Sequence, residues 1–179
     1  NYSSLLGRLG TDDRARLRSC GGPLAAGWQL ASPALAAERL EDEDYEAYLE
    51  GIARARGFYD RALRYGMEGL QRVHPDLVSL DPAAQEQALS AAGPDEVGLL
   101  FWTGASWLAG ISLSKEDPER IGQLPLAAAL VHRALALDED WDRGAIHELL
   151  ISLEPALPLP GGAERARTHY ERALELSGG

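Results

Sequence analysis

The sequence predicts an all-α fold built as a compact array of stacked helix hairpins. Nearly every long segment carries apolar residues at helical spacing, and no stretch shows a sustained strand-like alternation. Pro, Gly and Asp fall where helices need to start or stop. One helical pattern also recurs three times along the chain.

Taken in order, a first helix is expected over 2–19, followed by a break at Cys20-Gly21-Gly22-Pro23. A second helix over 24–40 is interrupted near Ser32-Pro33, because proline removes a backbone donor and clashes with the preceding turn. The acidic run Glu41-Asp42-Glu43-Asp44 leads into a long helix from Tyr45 to Val73. Carboxylates suit a helix N-terminus, where unpaired amides carry partial positive charge, so this run reads as a solvated helix start. His74-Pro75 ends that helix. Asp81-Pro82 opens a short helix to Ala92, and Gly93-Pro94-Asp95 opens another to Leu113. After a turn over 114–117, Pro118 starts a helix and Pro125 the next, which runs to Leu137. Asp140 is expected to cap a helix from Trp141 to Leu153. Pro155, Pro158, Pro160, Gly161 and Gly162 make the clearest loop, before a last helix from Ala163 to Leu176.

The repeat supplies the architecture. Ala55-x-x-x-Tyr59-x-x-Ala62 returns as Ala127-x-x-x-Val131-x-x-Ala134 and as Ala166-x-x-x-Tyr170-x-x-Ala173. In each copy an Arg precedes the last Ala and a Leu follows it: Arg61 and Leu63, Arg133 and Leu135, Arg172 and Leu174. Small residues at this spacing let antiparallel helices approach, and the larger residue between them fills the neighbouring hole. The Arg stem is expected to run outward along the surface. The copies lie 72 and 39 residues apart, the former close to two tetratricopeptide periods. One such hairpin cannot bury its apolar face alone, so units must stack and present a concave inner surface. The expected fold is therefore tetratricopeptide-like stacked helix hairpins, an α-solenoid or compact helical array, as a single domain over residues 1–179.

Composition limits the function. The chain of 179 residues is 45% apolar and 25% charged, an ordinary globular balance. A net charge of −11 argues against nucleic acid or an anionic membrane as partner, since both need a basic footprint. Cys20 is the only cysteine, which rules out an internal disulfide and a cysteine-rich metal site. Leu17-Arg18-Ser19-Cys20 has the outline of a lipoprotein cleavage box, but charged residues precede it where an apolar stretch is needed. Cys20 is accordingly expected to be a buried small residue. No apolar run approaches the ~20 residues of a membrane span.

The stretch from Leu99 to Lys115, Leu-Leu-Phe-Trp-Thr-Gly-Ala-Ser-Trp-Leu-Ala-Gly-Ile-Ser-Leu-Ser-Lys, resembles the central motif of a known family. That family is the T component of tripartite ATP-independent periplasmic (TRAP) transporters. Arg133-Ala134-Leu135-Ala136-Leu137-Asp138, Gly144-Ala145-Ile146-His147-Glu148 and the segment from Ala166 to Leu174 extend the resemblance, in the family's order. It implies a tetratricopeptide-like fold in a periplasmic or lipid-anchored protein. It further implies a solute-binding protein of the transporter as partner, an apolar small ligand, and assembly as a homo-trimer. Two departures stand out: no anchoring Cys opens the chain, and the chain stops where the family continues with further helix. Truncation at both ends is the expectation.

The candidate ligand-binding residues on this reading are Trp102, Ser106, Trp107, His147 and Glu148. Trp102 and Trp107 are five residues apart, ~500° of helical turn, so their indoles diverge by ~140°. Both fill the core, or one lines a cavity that Gly104, Ala105, Ser106 and Gly110 leave open. His147 and Glu148 project ~100° apart and form no clamp together. A zinc-binding His-Glu-x-x-His needs a second His at position 151, which is Ile. No phosphate loop, nucleophile elbow or helical pair of metal-ligand histidines is present, so no cofactor and no enzyme activity are expected. His74, His132 and His169 read as surface or capping residues. Trp28 and Tyr65 occupy plausible inner positions. The alternative to a T component is a general protein-interaction scaffold that binds a peptide in its concave groove; a groove lined by Lys, Arg and Asn would favour it.

Overall fold

The structure, a computed structural model, describes residues 44–178, and these are all helix and turn. The two helices expected before residue 41, together with Cys20 and Trp28, lie outside the described residues. The helices are α1 (Tyr45–Val73), α2 (Pro82–Ser90), α3 (Val97–Ser112), α4 (Pro118–Gly122), α5 (Leu124–Leu137), α6 (Ala145–Leu153) and α7 (Gly162–Ser177).

Aspartates start three of them. Asp44 accepts from the Ala47 amide at 3.0 Å, Asp81 from Ala83 and Ala84, and Asp117 from Glu119 and Arg120. Pro82 and Pro118 sit in the first turn, where their missing amide hydrogen costs nothing. At the end of α1 the His74 amide bonds to Leu70 O. The His74 imidazole meets Glu96 Oε2 at 2.6 Å, and Glu96 Oε1 accepts the Gly93 amide at 2.9 Å. One glutamate thereby joins the end of α1 to the entry of α3.

Helix α3 is buried on nearly all sides, so its sequence is apolar or small throughout. It lies antiparallel to α1: Gly69 meets Leu99, Gly66 meets Thr103, and Tyr59 lies beside Gly110. It is antiparallel to α5 as well, with Gly104 against Ala127, Leu130 and Val131, and Trp107 against Gln123. Leu100 and Phe101 are fully enclosed, and each contributes about 1.5–3 kcal/mol through removal from water. The close approach needs glycine. A Cβ on Gly104 would lie 2.7 Å from Val131 Cγ2 and 3.0 Å from Ala127 O, and one on Gly66 would overlap Thr103. Helices α6 and α7 form a second antiparallel pair, in which Gly144 meets Ala173 and Leu176 while His147 meets His169.

The three motif copies differ in their surroundings. Ala55, Tyr59 and Ala62 are buried, as are Ala127, Val131 and Ala134. In the third copy Ala166 and Ala173 are buried, but Tyr170 is 53% exposed. The motif arginines also do more than lie along the surface. Arg133 donates to Ser90 O at 2.9 Å and Ala92 O at 2.6 Å, closing the turn before α3. Arg172 donates to Glu139 at 2.7 Å and Asp140 at 3.0 Å, in the turn before α6. In both pairs, the second helix reaches back to hold the entry of the first.

Around Trp141 the structure departs from the helix expected there. Asp142, Arg143 and Gly144 have φ of 46°, 59° and 92°, and α6 begins only at Ala145. The Asp140 side chain is paired with Arg172 and makes no cap. With Trp141 packed on Phe101 at 4.9 Å between ring centres, the chain reaches the start of α6 through a left-handed turn. Gly144 bears that conformation at least cost.

Two stability effects are expected. Gly104→Ala gains helix propensity of about 1 kcal/mol but forces α3 and α5 apart, for a net loss of about 1–2 kcal/mol in urea denaturation. Parent-like stability would show that the two helices separate freely. Arg133→Ala removes two charge-assisted bonds to backbone carbonyls and lowers the midpoint by the equivalent of about 1–2 kcal/mol, with an unchanged m-value.

Candidate functional site

Three features compete for attention, and α3 positions two of them. On one side of α3 lies a row of aromatic rings. Tyr65 of α1 and Trp102 of α3 both pack on Ala62, and Trp141 follows from the turn before α6. Trp102 stands edge-on to Phe101 at 5.0 Å and to Trp141 at 6.2 Å between ring centres. Phe101 is the buried base, while Tyr65, Trp102 and Trp141 are half-buried and present apolar surface with polar edges. The row spans α1, α3 and the entry of α6, so no single helix could have displayed it.

Elsewhere on α3, Trp107 and Ile111 form the floor of a cleft of about 260 Å³ between α1, α3 and α4. Asp60, Leu63, Gly110, Asp117, Glu119, Arg120 and Gln123 complete it. The Trp107 indole N–H donates to Gln123 Oε1 at 2.8 Å, which ties α3 to the turn before α5. Arg120 grips Asp60 with two bonds of 2.8 and 3.1 Å and leans on Asp117 at 3.7 Å. Both sides of that pair are about a third or more exposed, so it contributes under about 1 kcal/mol. Its geometry matters more, because it ties the short helix α4 over the cleft.

The third feature is a polar cluster in the seam of α6 and α7. The carboxylate of Glu154 is almost wholly enclosed and is gripped by Arg165. His132 Nε2 of α5 lies 3.3 Å from Glu154 Oε1 and His169 Nε2 of α7 lies 4.0 Å from it. His147 Nδ1 meets His169 Nδ1 at 2.8 Å. Burial pushes both imidazoles below the ordinary histidine value, and for His169 the neighbouring His147 adds to the effect. Among the described residues, no three His, Cys, Asp or Glu side chains are arranged to hold a metal ion.

The residues singled out in the sequence do not gather at one point. Trp102 belongs to the aromatic row and Trp107 to the cleft, parting around α3 as the helical spacing requires. Ser106 is buried within α3. His147 is buried against His169, whereas its neighbour Glu148 is exposed. Trp141 and Glu154 were missed as site residues. Trp141 joins the row only through the left-handed turn, and Glu154 reads in sequence as one more loop-entry carboxylate. His169 is not the surface or capping residue expected, since its side chain is 13% exposed and meets His147. The signal that could have found it was its place four residues after Arg165, on the α7 face that also holds Ala166 and Ala173.

No helix among the described residues is long and apolar enough to cross a membrane. The chain is similar to an uncharacterised protein of Treponema pallidum (strain Nichols), 28% identical over 141 residues. That match covers 75% of this chain and 44% of the relative, so the chain spans under half the relative's length. The sequence model of the TRAP transporter T-component family matches residues 27–179. With most of its length so matched, including all three copies of the helical motif, the chain belongs to the TRAP transporter T-component family.

Proposed function

We propose that this protein is a periplasmic accessory of a TRAP-type solute uptake system, which binds the solute-binding protein of that transporter together with an apolar small ligand. The observation that carries this reading is the family match over 27–179. The aromatic row of Tyr65, Trp102 and Trp141 supports the ligand part. Half-buried Trp and Tyr offer large apolar area at low entropy cost, as binding surfaces require. Trp107, in its cleft, is the second proposed contact. Ser106 lies one helical turn beyond Trp102, while His147 and Glu148 complete the proposed set from α6. The tetratricopeptide-like stacking of a single domain, the homo-trimer and a lipid anchor on the full-length protein belong to the same reading. Its role is binding without catalysis, and its net charge of −11 speaks against nucleic acid as partner. The three aromatic rings of the row, Tyr65, Trp102 and Trp141, support this reading over a general peptide-binding scaffold, with Arg64 lying over Tyr65 at 5.8 Å.

Native mass spectrometry of protein purified gently from a bacterial periplasm is expected to show extra mass that is lost on denaturation. The purified solute-binding protein of the same uptake system is expected to bind in titration calorimetry. Trp102→Ala should retain the helical circular dichroism signal and reduce retention of the apolar mass about thirtyfold, the scale of a 2 kcal/mol anchor. A ligand-free chain with no affinity for the solute-binding protein would overturn the proposal.

A further inference from the structure

The seam between α6 and α7 is closed by two imidazoles that face each other Nδ1 to Nδ1 at 2.8 Å. Only one hydrogen fits between those nitrogens, so one ring donates and the other accepts. The neighbours decide which. His169 Nε2 faces Glu154 Oε1 at 4.0 Å, a carboxylate oxygen that favours an N–H opposite it. His147 Nε2 is buried with no hydrogen-bond partner among the described residues, a setting that suits a bare nitrogen. His147 therefore donates from Nδ1, and His169 accepts there while keeping its own hydrogen on Nε2.

A proton added to this pair has one place to go. The space between the Nδ1 atoms holds a single hydrogen and His169 Nε2 already carries one. Whichever ring formally takes the charge, the new hydrogen lies on His147 Nε2, as a buried donor without an acceptor. The surrounding charges do not remove this obstacle. Arg165 of α7 engages Glu154 Oε2, while Oε1, approached by His132 of α5, makes no hydrogen bond to His147 Nε2. Glu139 and Asp140, before α6, favour charge on His147, but both are engaged by Arg172 of α7, which opposes it. We propose that the His147–His169 pair is an acid-operated latch: neutral it holds α7 on α6, and on acidification it releases the α6–α7 seam to take up protons. The face of α6 and its exit that carries Gly144, His147 and Glu154 would then be laid open. This rests on the geometry of the pair and its neighbours, and its readout, the protection of α7, requires neither ligand nor partner.

The sign follows from linkage. Both rings are held below the ordinary histidine value in the closed seam and return to about 6.5 when it opens. The open form binds more protons, so the closed seam has its full stability above about pH 6.5 and loses it as pH falls. Hydrogen exchange by mass spectrometry on the whole chain, corrected for intrinsic exchange, is expected to show this. Protection of α6 and α7 should fall about tenfold per pH unit for each proton taken up, while α1 and α3 hold. His147→Asn keeps a donor near Nδ1, cannot be charged and can turn its amide to accept. It is expected to reduce the pH dependence of α7 protection to that of His169 alone, at most about tenfold per pH unit. Nitrogen-15 NMR on the native chain provides the second measurement, with His147 expected as the Nδ1–H tautomer and both rings titrating below the ordinary histidine value. The latch is overturned if both rings titrate near 6.5 with α7 protection unchanged, or if His147→Asn opens with the parent's pH dependence. Should that variant fail to fold, the NMR titration decides alone.

Discussion

Helix α3 lies so close to its neighbours that backbone and small residues set the spacing. Gly66 and Gly69 admit Thr103 and Leu99 from one side, and Gly104 admits Val131 and the Ala127 carbonyl on the other. Contacts of this kind tolerate no sliding, because a shift of one residue would place a side chain where only hydrogen fits. The register of α1 against α3, and of α3 against α5, is thereby determined. From that register follows the outward geometry: Trp102 joins Tyr65 in the aromatic row, and Trp107 reaches Gln123 at the wall of the cleft.

The two helix pairs are held by different physics. The contacts of α3 with α1 and α5 are almost wholly apolar and carry most of the burial. The seam of α6 and α7 contains His147, His169 and the enclosed carboxylate of Glu154. A buried charge is held at a cost that its partner must offset, and removing that partner leaves the cost behind. Such a seam is more sensitive to conditions than a dry one, and the apolar residues Ile146, Leu149, Leu150 and Leu153 of α6 bury in the main core instead. Arg133 and Arg172 give the pairs a common feature, each reaching back to the turn that precedes the first helix of its pair. Where Arg133 binds carbonyls whose positions are set by α2, Arg172 binds carboxylates in the very turn that carries Trp141.

Much of this was legible from local spacing. Asp81-Pro82 and Asp117-Pro118 mark helix starts because capping involves only the next two or three amides. The motif of small and large residues marks buried faces because one turn of helix suffices to display it. Trp141 shows the limit: the aspartate before it has the right identity for a cap, yet its carboxylate is drawn away by Arg172. His169 shows the same limit, since its partners come from α6 and from the turn that follows it. Tyr170 occupies the position that Tyr59 and Val131 bury, and remains half exposed among the described residues because burial depends on which helix lies opposite.

By itself, the sequence determined that the chain is helical, where most helices begin and end, which motif recurs, and to which family the chain belongs. These depend on interactions within a turn or two, or on residue patterns that survive without knowledge of the packing. The tertiary structure alone decided that Tyr65, Trp102 and Trp141 form one row, that Trp107 lines a separate cleft, and that His147 Nδ1 meets His169 Nδ1. Each of these brings together residues from different helices, and the distances between helices are set by the glycines and small side chains at their contacts.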